Sequence, residues 1–459
     1  MSRRQFMEST MGMALSLTAI NELGCRSSQS TSAEGTSAGG DAGCGFAPTS
    51  GPYVIAPGAT CDPSAHIACT DFIFDIQTYC FDAGEWRTRN IVYPTFLDLL
   101  GRCTDAADPL DCFDPKHYAE GMFLGSDTTM TVITGWPASE CFPERQLLHQ
   151  HALACGLPLS NASTRALRDW INQSAKSQRC INHSIIMPND FLEHQLETMY
   201  AVVSDPSWRC AGWTTYPAWQ SDTYRSSRGY AQGFFMTDPI GVAFVEAGLK
   251  LGVPNFAVHK GMALPGFDEV HNEPTDIGPI ASMFPHANFI VYSSAYGAGT
   301  PTGVIDPVAP YVEGPYDPND PMPTGVNMLI RSLLSSKVVQ DPDVAKIPVA
   351  PHNVYAEMGG AWSNVMQDAA QAQHYVGKLL KYLGPANVCW GTKGIASTGV
   401  QAMIEAFRAF TITPQYQEMY GYPALTPAIK AQIFGLNAAR IYGVDPCAPR
   451  CAVTDTSFG

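Results

Sequence analysis

Two short apolar runs end in residues that can move protons. NFAVHKG (255 to 261) closes on His259, and NVCWGTKGIAS (387 to 397) closes on Lys393. A lysine drawn out of water loses solvation and its pKa falls, so it can act as a base, a Schiff-base nucleophile or an electrostatic clamp on an anion. His259 and Tyr79 are side chains of the kind that would pass protons beside it. A structural reading is also open, in which Lys393 pairs with Asp75 or Glu357 and His259 is a hydrogen-bonded core histidine.

Other spacings carry less chemistry. His149 and His151 form a His-x-His pair, but QLLHQHALACG reads as a helix, where i and i+2 point apart. The 14 cysteines include no C-x-x-C pair. Cys447-x3-Cys451 reads as a disulfide or an unpaired tail, and Cys103 and Cys112 bracket an acidic loop that a disulfide could close. Cys389, inside NVCWG, reads as a small buried hydrophobe. The acidic loops GFDEVHNEP and EGPYDPNDP lack calcium-loop spacing, and GAGTPTG lacks the ending of a phosphate loop. His183 and His352 are weaker candidates near strands.

Short apolar runs alternate with helical patterns, the signature of a parallel sheet with crossover helices. The strand candidates are 72 to 80, 130 to 136, 180 to 188, 210 to 217, 255 to 261, 288 to 294, 353 to 359 and 387 to 392, with helical patterns such as 190 to 203 and 238 to 252 between them. Eight such units predict an α/β fold, a (β/α)8 TIM barrel in one domain with loop insertions, whose functional residues lie where strands run out into loops.

FDIQTY, FLGSDTTMTVITGWP, the stretch FAVHKGMALPGFDEVHNEPTDIGPIASMFPHANFIVYSSAY, NVYAEMGGAW, NVCWGTKGIAS and the closing IEAFRAF to IYGV together resemble the amidohydrolase-related family. The resemblance runs over roughly residues 70 to 445 and includes relatives of aminocarboxymuconate-semialdehyde decarboxylase. It implies hydrolysis, decarboxylation or hydration of small, carboxylated or aromatic substrates, with a divalent metal such as zinc as the family default. It also implies metal ligands at strand ends: a His-x-His pair, a Lys, two single His and an Asp.

At those positions this chain has Gln77 and Tyr79, Thr214, His259, Ser293 and Lys393. A cation replaces the aspartate, so no metal is expected. The expected catalytic residues are His259, Lys393 and Tyr79. The expected substrate contacts are Gln77, Thr214, Trp213, Tyr216, Ser293, Glu357 and Trp362, with Arg225 and Arg228 as further cations nearby. The alternative is a metal-free binding or accessory protein that keeps the barrel mouth as a pocket.

The 459 residues are 45% hydrophobic and 15% charged, with 40 glycines and 35 prolines, as in a globular chain rich in ordered turns. A net charge of -15 without a basic cluster beyond the first residues argues against nucleic acid and leaves a small molecule as the expected partner. Ser2-Arg3-Arg4-Gln5-Phe6 followed by MGMALSLTAI resembles a twin-arginine signal over residues 1 to 25, and Cys25 is a candidate lipid anchor. Residues 26 to 60 read as a Ser/Gly-rich linker, 61 to 445 as the barrel and 446 to 459 as a tail. The expected location is periplasmic, which suits a chain with many cysteines. Homo-oligomerisation is left open.

Overall fold

The computed structural model describes residues 72–80, 114–135, 161–219, 233–262, 267–299, 311–395 and 399–453. The signal, the linker, Cys25, the Cys103/Cys112 loop, His149, His151, Arg225 and Arg228 lie outside them. Eight parallel strands follow one another around the sheet in chain order: β1 (Phe74–Thr78), β2 (Met130–Ile133), β3 (Cys180–Ile185), β4 (Gly212–Thr215), β5 (Asn255–His259), β6 (Asn288–Tyr292), β7 (Val354–Glu357) and β8 (Val388–Cys389). The circle closes where Ile76 N–H donates to Trp390 O at 3.2 Å, with a further parallel bridge between Thr78 and Gly394. This is the expected (β/α)8 barrel.

Two apolar layers hold it together. Alternate strand residues such as Phe74, Ile76, Val132, Ile181, Ala257, Ile290 and Tyr355 form an inner cluster, sealed by Ala438, Ala439 and Tyr442 of the closing helix Asn437–Tyr442. Their neighbours, Trp213, Phe256, Val258, Phe289, Val291 and Val388 among them, face the surrounding helices. The period of two that separates inner from outer residues is the geometry of the strand itself. Burial on both faces explains why these strands read as continuous apolar runs in the sequence.

Strand ends differ from the sequence reading where side chains interrupt the ladder. β8 spans two residues rather than six because Asp75 Oδ1, not a β1 carbonyl, takes the Thr392 N–H at 3.1 Å. β1 slips register between Asp75 and Thr78, so strict alternation fails there. Phe74 and Ile76 belong to the inner cluster, yet Gln77 and Tyr79 bond one another two residues on and Tyr79 reaches Tyr216 across the barrel. Asp75 is fully buried two residues before Gln77, and its charge adds to desolvation in raising the pKa of Glu357. Its carboxylate accepts from Thr392 Oγ1, Thr392 N and, at 3.1 Å, Gln77 N.

Among the described residues no helix is long and apolar enough to cross a membrane. Cys180, Cys210 and Cys389 are free thiols, and Cys389 is fully buried as expected.

Candidate functional site

The C-terminal ends of β1, β4, β5, β6, β7 and β8 carry the residues in question, and they form two tiers. The lower tier is a hydrogen-bond network centred on Thr214, with partners from β3, β6 and the residue after β2. Thr134 Oγ1 donates to Thr214 Oγ1 at 2.7 Å, His183 Nδ1 lies 3.0 Å from the same oxygen, and Tyr292 Oη lies 3.3 Å from it. The second ring nitrogen of His183 meets Tyr442 Oη at 2.9 Å. Burial holds His183 down to about 3, so it is a neutral, fully bonded core histidine. Thr214 is thus spoken for beneath the mouth.

The upper tier begins with a directed chain of donors. Tyr216 Oη gives its proton to Gly135 O at 3.1 Å, so Tyr79, 3.0 Å away, must donate to Tyr216 and accept from Gln77 Nε2 at 2.8 Å. Burial drives the Tyr79 and Tyr216 phenols well above their usual range, which keeps both neutral. Tyr79 therefore arrives with its proton already committed to a neighbour. The opposite end of that chain, Gln77 Oε1, is buried without a partner.

His259 ends β5, 2% exposed, stacked on Tyr216 with ring centroids 5.4 Å apart and edge-on to Phe267 at 5.0 Å. Neither of its ring nitrogens has a hydrogen-bond partner. Asn272 approaches without completing a bond, and its own Oδ1 is also unpartnered. Burial first, then the charge of Lys393, press the imidazole down to about 3.

Glu357 ends β7 fully buried, its Oε2 accepting Ser293 N–H at 2.7 Å and its Oε1 accepting Gly359 N–H at 2.5 Å. Glycine is required around it: a Cβ on Gly391 would fall 1.8 Å from Glu357 Oε1 and one on Gly359 would fall 2.6 Å away. Desolvation pushes this carboxyl up to about 8, and it pushes Asp75 up to about 7. Half-buried Lys393 follows β8 in a left-handed conformation, φ 59°, its ammonium lowered to about 8 by desolvation, with Glu357 opposing that shift. Glu357 and not Asp75 is the carboxylate whose charge Lys393 feels.

Ser293 follows β6, fully buried, with an Oγ that has no partner. The structure thus brings Gln77, Tyr79, Tyr216, His259, Ser293, Glu357 and Lys393 to one end of the barrel. It places two expected contacts elsewhere. Trp213 sits in the outer layer with its Nε1 donating to Val253 O at 3.1 Å, because its register position faces the helices. Trp362 packs on Phe407 and Phe410, its Nε1 donating to Met403 O at 3.1 Å. His352 is likewise bonded through both nitrogens, to Leu383 O and Val354 N. Sequence reasoning missed Thr134, Tyr442, Thr392 and Phe267; Thr392 alone had a signal, its place one residue before Lys393.

A divalent metal finds poor ligands here. Among the described residues no three His, Cys, Asp or Glu side chains gather. The upper tier offers one imidazole, an amide, hydroxyls and an ammonium, while both oxygens of Glu357 are taken by backbone N–H groups. Zinc prefers several imidazole, thiolate or carboxylate donors, and a nearby cation repels it. The donor set does not fit the metal that the family resemblance implies.

No family model matches the chain, and no curated protein does. Solved structures do. They include an uncharacterized TIM-barrel protein from Bordetella bronchiseptica (12% identity, TM-score 0.47, covering 80% of this chain and 97% of that one). A 5-carboxyvanillate decarboxylase from Sphingomonas paucimobilis matches at 11% identity and TM-score 0.44, covering 81% of this chain and 99% of its own. A dihydroxybenzoic acid decarboxylase from a Polaromonas species, with bound manganese and an inhibitor, matches at 12% and 0.42, covering 81% and 96%.

Proposed function

We propose that the protein is an exported, metal-independent hydrolase that takes a small carbonyl compound with an aromatic or carboxylated part at the barrel mouth, with Lys393 as proton acceptor. One observation carries this reading. Around Lys393 stand buried polar atoms with no partner, namely both nitrogens of His259, Ser293 Oγ and Gln77 Oε1. Unpaired buried polar atoms are costly; 15 occur among the described residues, and the four of them gathered at this end of the barrel are what a site awaiting a ligand's own polar groups would present. Tyr216 stacked on His259, with Phe267 edge-on to both, adds an aromatic lining suited to an aromatic or planar group. A lysine brought down to about 8 is partly unprotonated at neutral pH, as a base must be.

A second reading, a non-catalytic binding or accessory protein, is favoured by Glu357, whose carboxylate is spent on backbone N–H groups rather than aimed at a substrate. The twin-arginine resemblance at residues 2 to 6 supports export, and Cys25 supports a tether to the membrane surface.

The test is elemental analysis of the full-length protein together with turnover of a panel of small aryl esters and amides. Metal well below one equivalent, and activity that survives chelation and rises with pH through about 8, are expected. Near-stoichiometric zinc or manganese, with activity lost on chelation, would overturn the reading. Stabilisation by benzoate without any turnover would leave the binding protein.

A further inference from the structure

Ser293, Ser294 and Ala295 hold φ values of 50°, 52° and 57°, three successive L residues in the left-handed region directly after β6. Side chains clash with the following carbonyl there, so such a run persists only where its surroundings impose it. They do so here. Ser293 N–H is held by Glu357 Oε2, and Ser294 Oγ donates to Glu357 O at 2.8 Å and lies 2.9 Å from Tyr375 Oη. Gly261 lets the turn press close, since a Cβ there would fall 2.5 Å from the Ala295 carbonyl carbon. Of two adjacent serines, one is bonded, and the other presents a fully buried Oγ with no partner.

What that hydroxyl faces is set by Gly360. A Cβ on Gly360 would lie 3.3 Å from Ser293 Oγ and 3.6 Å from Lys393 Cδ, so serine hydroxyl and lysine stem border the same small space. His259 stands alongside, since its register partner on β6 is Tyr292, the residue before Ser293. A serine on a strained turn at a strand end is how several unrelated hydrolases expose a nucleophile, and Ser-Lys pairs are among the known ways to activate one.

We infer that Ser293 is a nucleophile and Lys393 its general base, so that the barrel mouth cleaves small carboxylic esters through an acyl-enzyme. The inference rests on the metal-independent reading above and gives it a covalent step. Ser293 Oγ adds to the ester carbonyl while its proton passes to the unprotonated Lys393 Nζ. The oxyanion accepts from the neutral His259 ring N–H. Collapse breaks the C–O bond to the alcohol, which leaves with the proton returned by Lys393. Water then adds to the acyl-Ser293 ester, again giving its proton to Lys393, and the acid departs as Ser293 recovers its proton.

The experiment labels the full-length protein with a fluorophosphonate, maps the adduct by mass spectrometry and follows 4-nitrophenyl acetate turnover. One adduct on Ser293 is expected, formed faster as pH rises through about 8. Ser293→Ala should lose the label and at least about 100-fold in turnover; Ala295 shows that alanine tolerates this backbone. Lys393→Arg, which cannot give up its proton, should lose labelling while benzoate still raises its Tm. An adduct elsewhere, no adduct at all, or Ser293→Ala turnover within about two-fold of the parent would overturn the inference. If benzoate still stabilises a protein that takes no label, the nucleophile alone is wrong; if chelation abolishes turnover, the metal-independent reading beneath it fails as well.

Discussion

The interior of this barrel holds two buried histidines that burial presses to about 3, and they could hardly be used more differently. His183, low in the barrel, is bonded through both nitrogens to Thr214 and Tyr442. His259, at the mouth, is bonded through neither. The lysines differ in depth. Lys260 meets Asp276 at 2.9 Å, and Lys378 is bound by Glu313 and, at 2.6 Å, by Asn327, all within the packed layers. Lys393 is half-buried beside a carboxyl that its own backbone neighbours already saturate. Folding has bonded His183 on both sides, whereas His259, Ser293 Oγ and Gln77 Oε1 at the mouth are left without partners.

The sharpest way to break this comparison is to remove a cation from each region. Lys378→Met strands Glu313 in the interior and should cost ~3–5 kcal/mol in chemical denaturation, whereas Lys393→Met should change stability by less than ~1 kcal/mol. Comparable losses would mean that Lys393 is a structural ion pair.

A smaller effect separates the histidines. Tyr442→Phe leaves a His183 nitrogen unpaired and should cost ~1–3 kcal/mol, while His259→Leu deletes no hydrogen bond and should be close to neutral. A large loss at His259→Leu would reveal a partner that the geometry does not show.

The gentlest probe is pH. Glu357, raised from 4.5 to about 8, keeps its proton in the folded protein where the unfolded chain has lost it. Its contribution is therefore complete below 4.5 and disappears as pH climbs through about 8, at no more than ~1.4 kcal/mol per pH unit. Asp75 acts in the same direction between 3.8 and about 7. Lys393, lowered from 10.5 to about 8, has the opposite sign and gains stability only above about 8. Glu357→Gln should thus flatten the fall of Tm between pH 5 and 8, and an unchanged slope would place that carboxyl in a more polar setting than its burial implies.

Eight apolar runs in a single chain were enough to specify the barrel and to put His259, Ser293, Glu357 and Lys393 at strand ends, because a period of two and burial on both faces are local properties of sequence. Residues placed by neighbouring strands were not legible. Whether Trp213 faces the helices or the mouth depends on register, which is settled by pairing between strands far apart in the chain. The identity of His183 as a core residue rests on Tyr442, 259 positions away. So the sequence determined which residues reach the barrel's open end, since strand periodicity and strand length are local. Only the tertiary structure decided which of them were already bonded there, because hydrogen-bond partners are chosen by closure of the barrel and not by spacing along the chain.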